Sequence, residues 1–215
     1  EYEVTHPVVM KLVGVPEILQ GHVQPSGMFH YHGYSATLID PLRERAGEPD
    51  GVQLVGYSAD GFPIIDCNLV AKDGRKVRLE SGWRLRQGRR TAQPRTNPAL
   101  TPSGDHDGLY VQDYEFAPRA QRMENDVAIV PLDRRNGIVL GDDLPVLAGF
   151  PARHYAYVLT PDWPMIPRFI AYRPDQSFAD IIPMTRGGQA GRSQLYDACG
   201  VKADAIRGLD GRERY

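Results

Sequence analysis

Only two cysteines, Cys67 and Cys199, stand in this chain of 215 residues, and their separation is too long for a short redox or zinc-binding motif. They allow one disulfide, within the chain or between copies, which is the favoured reading; two buried free thiols are the other. No uninterrupted apolar run reaches the roughly 18 residues that a membrane-spanning helix needs, and the N-terminal residues lack the basic, apolar, small-residue order of a signal peptide. Neither sign of charge dominates. The 25 Lys and Arg face 27 Asp and Glu, a net charge of -2 that gives no electrostatic reason to expect nucleic acid or an anionic membrane as partner. Helix signals are few, and no internal repeat is visible.

What is abundant is turn chemistry. The 22 glycines and 18 prolines are spread evenly, and the apolar segments between them are short and rich in Val, Ile, Tyr and Phe. Strands are expected around 8–13, 28–34, 52–57, 64–70, 77–86, 110–116, 129–131 and 155–160. Two short helices are expected, 40–46 with Asp40 as cap and Pro41 at its first position, and 197–206. The fold class is therefore mainly β: one β-sandwich or barrel-like domain of short antiparallel strands with long loops. Residues 91–108, poor in large apolar side chains, read as a long surface loop. The domain is drawn over 1–172, followed by a polar C-terminal tail over 173–215 that cannot form its own core. That tail is expected to wrap the domain or dock on a neighbouring subunit, anchored by Ile181, Ile182, Leu195, Tyr196, Ile206 and Leu209. The chain opens in mid-pattern at Glu1-Tyr2-Glu3-Val4, which leads us to expect a removed leader or a longer N-terminal segment.

Three of the six histidines fall within a dozen residues, His22, His30 and His32. Alternate residues of a strand share a face, so His30 and His32 are expected on one side and Phe29 and Tyr31 on the other. A reversal at Pro25-Ser26-Gly27 returns His22 beside the pair. Three imidazoles suit copper or zinc; with no thiolate nearby, copper comes first and zinc is the alternative. A hydrogen-bonded histidine cluster in a β-core is the bland reading. His106 sits on the long loop, where it either closes the coordination sphere or, the favoured reading, is a solvated loop residue; His6 and His154 have no partner in sequence and are assigned no role.

Acidic residues at turns and strand ends, Asp60, Asp107, Asp113, Glu115 and Asp133 with Asn136, offer the oxygen donors that calcium takes. Asp107, Asp133 and Asn136 are the candidate ligands, although Asp or Asn before Gly is also an ordinary turn former. Two other motifs fail. Gly56-Tyr57-Ser58-Ala59-Asp60 lacks the last glycine and the following helix of a nucleophile elbow, and the glycines of Gly187-Gly188-Gln189-Ala190-Gly191 follow no credible strand. The aromatics Tyr155, Tyr157 and Trp163 are read as core and rim.

The segment Phe29-His30-Tyr31-His32-Gly33 resembles the motif that names the YHYH-domain proteins. His22-Val23-Gln24-Pro25, Gly56-Tyr57-Ser58-Ala59-Asp60-Gly61, Asp107-Gly108-Leu109-Tyr110, Leu132-Asp133-Arg134-Arg135-Asn136-Gly137 and Trp163-Pro164-Met165-Ile166-Pro167 follow in the family's order, over roughly 21–170. Two positions depart from its pattern: Phe29 replaces the first Tyr, and Arg135 stands where a Cys is common. The resemblance implies a secreted or cell-surface protein. With the histidines, it leads to the expectation of an extracellular metal-binding protein of structural or sequestering role, self-assembling into a homo-oligomer or filament. The alternative is an extracellular metalloenzyme, a copper oxidase or peroxidase or a zinc hydrolase, with Tyr31, Asp107 or His106 assisting; no acid-base arrangement beyond the histidines favours it.

Overall fold

A computed structural model describes residues 20–23, 27, 29–46, 51–91 and 101–175, with the backbone alone for His22 and Ala46. The strand expected at 8–13, the helix at 197–206, the tail anchors and Cys199 lie outside these residues. The described chain is mainly β. Its strands are β1 (Gly21–Val23), β2 (Phe29–Tyr31), β3 (Leu54–Tyr57), β4 (Pro63–Asp66), β5 (Asn68–Val70), β6 (Lys76–Glu80), β7 (Trp83–Leu85), β8 (Tyr114–Phe116), β9 (Arg122–Glu124), β10 (Val127–Pro131), β11 (Gly137–Leu140) and β12 (His154–Leu159).

Two four-stranded sheets, β5-β6-β10-β9 and β11-β12-β4-β3, carry the core, and β1-β2 and β7-β8 form two-stranded ladders. The run from Pro63 to Val70 passes from one large sheet to the other at Cys67, a buried free thiol. Ile65, Leu69, Val77, Leu79, Ala156 and Val158 then pack in one cluster between the sheets. No barrel closes among the described strands. Most strand pairs are antiparallel, as expected, and two are parallel: β10 with β6, and β12 with β4. Both are pairings between segments distant in sequence, which local turn signals do not encode.

β12 is buried along its whole length because it is an interior strand with cover on both faces. Ala156 and Val158 enter the intersheet core, while Tyr155 and Tyr157 enter a second cluster with Phe62 and Tyr172 packed against it.

The helix α1 spans Ala36–Ala46, so the expected start at Asp40 is too late and Pro41 lies inside the helix. The Ser35 carbonyl accepts the first bonds, from Leu38 N (3.1 Å) and Ile39 N (3.0 Å). Pro41 removes one ladder bond, and an interior proline costs on the order of 3 kcal/mol. Opposing that, Ile39 is fully buried, and one turn later Arg43 donates to the buried carboxylate of Asp66 (Nε–Oδ2 2.8 Å) and to Asn68 O (2.6 Å). No described helix is long and apolar enough to cross a membrane.

Candidate functional site

β1 and β2 form an antiparallel ladder in the register Gly21↔Tyr31, His22↔His30 and Val23↔Phe29, with Gly27 in the turn at φ 85°. His32 N donates to Gln20 O at 2.6 Å and closes the ladder's open end. Gly21 is needed here: a Cβ would stand 2.8 Å from His30 O and 3.0 Å from the rings of Phe29 and Tyr31. Those two rings meet edge to face at 5.2 Å and are half exposed. The rings of His30 and His32 meet at 4.4 Å with planes 62° apart. The two-residue alternation thus sorts aromatics from imidazoles, and the register sets position 22 across from position 30. The side chain of His22 lies outside the described residues, and among those described no three His, Cys, Asp or Glu side chains gather as a metal site.

Gly33, immediately after His32, faces two side chains that sequence reasoning passed over. A Cβ on Gly33 would lie 2.8 Å from Met165 Sδ and 2.9 Å from Gln20 Oε1. Met165 arrives from the turn after β12, where its N–H donates to Asp162 O (2.8 Å) and its carbonyl accepts from Thr160 N (2.9 Å). No spacing in the sequence links position 165 to position 33; only the route of the chain does.

The oxygen donors proposed for calcium fall into separate networks. Asp107 pairs with Arg90, which also grips the buried Asp113 through two bonds of 2.7 and 2.9 Å. Asp133 Oδ1 accepts from Arg135 N (2.8 Å) and Gly137 N (2.9 Å), and Oδ2 accepts from the Tyr155 hydroxyl (2.8 Å). Asn136, fully buried at φ 56°, donates to Val158 O (2.8 Å) and Thr160 Oγ1 (3.0 Å). His106 binds Gly88 O through Nδ1 (2.8 Å), and the buried His154 binds Pro151 O (3.0 Å).

Two phenol–carboxylate pairs on β12 were also missed. Besides Tyr155–Asp133, the Tyr157 hydroxyl donates to Asp60 Oδ2 at 2.7 Å, and that oxygen also accepts Ala171 N (3.0 Å) and Tyr172 N (3.1 Å). Burial, and then the facing carboxylate, push both phenols well above the usual tyrosine range, so both stay protonated donors. The alternation Tyr-x-Tyr marked these residues as inward, but it could not name the acceptors. Burial likewise raises the Cys67 thiol.

A family model described as YHYH protein matches residues 8–171. The chain belongs to the YHYH family. The match begins upstream of the boundary expected near residue 21, so residues 8–20, Gln20 among them, are part of the YHYH region. Neither a curated protein nor a solved structure matches the chain.

Proposed function

We propose that this YHYH protein is an extracellular metal-binding protein in which His22, His30 and His32 hold a transition-metal ion. The observation that carries the reading is the 4.4 Å approach of the His30 and His32 rings, beside a ladder position that pairs His22 with His30. Directly opposite residues of an antiparallel pair share a face, which is the placement three convergent ligands need. Copper precedes zinc, because imidazole sites bind Cu(II) more tightly in the divalent series. Asp107, Asp133 and Asn136 enter other bonds, so the reading rests on the imidazoles and not on hard oxygen donors. The role is sequestration or structural support, with the β-scaffold fixing the ligands.

Chelator-free protein, loaded and then desalted, is expected to retain about one equivalent of copper by elemental analysis, and His30→Ala or His32→Ala to weaken binding at least about tenfold. His106→Ala, on the exposed loop, is the control and stays at the parent level. Retention below about a tenth of an equivalent overturns the reading.

Assembly is a second reading, favoured by the terminal strands of the large sheets. β3 and β9 each end a sheet among the described strands, and Tyr57 on β3 and Met123 on β9 are 57% and 58% exposed. Unpaired strand edges beside apolar side chains are sites for strand addition from another copy. Light scattering over a wide concentration range tests this, and a constant monomer refutes it.

A further inference from the structure

Six non-glycine residues among those described have a positive φ, and four of them are Asn125, Asp126, Asn136 and Asp142, the residue types that tolerate the left-handed region. The two exceptions are Gln20 (φ 47°) and Met165 (φ 62°). They come from opposite ends of the described chain, and their side-chain tips meet over the same glycine, Gly33, next to His32. Strain of this kind costs on the order of 1–3 kcal/mol per residue and persists only where the surrounding structure over-determines it. Gln20 is only 7% exposed, and its Oε1 is buried with no hydrogen-bond partner. A buried amide oxygen left without a donor is unfavourable unless something else occupies its lone pairs. A metal cation does so, and the thioether sulfur beside it is a second, softer donor.

We propose that Met165 Sδ and Gln20 Oε1 are further ligands of the histidine site, and that the site is a copper centre able to hold Cu(I) as well as Cu(II). The proposal rests on the imidazole reading above and adds to it the identity of the ion. Imidazole alone serves copper and zinc alike, whereas the soft thioether selects Cu(I), and a methionine sulfur or glutamine oxygen beside imidazoles is a donor set copper accepts. Gly33 is part of the design, because any side chain there would occupy the space where sulfur and oxygen converge.

The test is Met165→Leu in the full chain. Leucine keeps the volume and the backbone position and removes the sulfur. Competition against a chromophoric Cu(I) chelator is expected to show Cu(I) binding weakened about tenfold or more, with Zn(II) binding within about twofold of the parent. Gln20→Leu is expected to weaken Cu(II) and leave Cu(I) nearly intact. Copper-edge X-ray absorption on the selenomethionine-labelled parent supplies a readout independent of the stability of any variant: a selenium neighbour of copper is expected, and it should vanish in Met165→Leu. If the parent binds copper through His30 but shows no selenium neighbour and Met165→Leu leaves Cu(I) affinity unchanged, the added ligands are wrong and the imidazole reading stands. If the parent binds neither Cu(I) nor Cu(II), both fall.

Discussion

Gly137 shows how one missing side chain organises a turn. A Cβ there would overlap the phenol of Tyr155, whose hydroxyl reaches across to Asp133 Oδ2 while the other oxygen of Asp133 accepts the backbone N–H groups of Arg135 and Gly137. The turn is a lock with the tyrosine as its bolt. Gly137→Ala is expected to cost about 1–3 kcal/mol through overpacking. Tyr155→Phe should cost about 1–3 kcal/mol by leaving the Asp133 oxygen without its donor. Urea unfolding measures both, and a loss below about 0.5 kcal/mol in either would show the lock to be incidental. At this scale the sequence was legible as a turn, since Asp-x-x-Asn-Gly is turn chemistry wherever it occurs. Its companion Tyr155 stands 22 residues from Asp133, and nothing local points to it.

Elements were read best where the side-chain period was clear. The Phe29-His30-Tyr31-His32 alternation placed like rings together, and the segments 64–70 and 155–160 proved to be the buried runs that join and centre the two sheets. They were read worst where a tertiary bond overrode a local signal. Asp40-Pro41 resembles a helix start, yet α1 begins at Ala36 because Ile39 and Arg43, one turn apart, both find partners in the core. Arg43→Ala should therefore cost about 3–5 kcal/mol, since it strands the Asp66 carboxylate in the interior. The segment around β7 and β8 depends on Arg90 and Asp113 in the same way. Burial tends to raise the Asp113 carboxyl, but the hydrogen bonds from Arg90 and from Tyr110 N win and hold it below its usual value. A carboxyl depressed in the folded state contributes its full stability above the unfolded value, near 3.9, and loses it as pH falls through the lower folded value. Stability measured by denaturant should decline as pH drops below about 4, and Asp113→Asn should flatten that slope. An unchanged slope would mean that other carboxylates carry the acid sensitivity.

For the whole molecule, metal binding and folding should be linked by mass action. Copper at about a hundred times its dissociation constant adds about 2.7 kcal/mol and raises the melting temperature; a chelator should reverse this in the parent and have a clearly smaller effect in His30→Ala. A melting curve indifferent to both copper and chelator would count against a site formed only in the folded state. Composition and turn spacing by themselves determined that this chain is a β protein, and short motifs carried the YHYH resemblance and the grouping of three of the six histidines within a dozen residues, because those properties depend on neighbours close along the chain. Only the tertiary structure decided that two strand pairs run parallel, that the oxygen donors work as turn and loop locks, and that Gln20 and Met165 converge on Gly33. Each of these joins residues distant along the chain, and such contacts are set by how the sheets pack around a shared core.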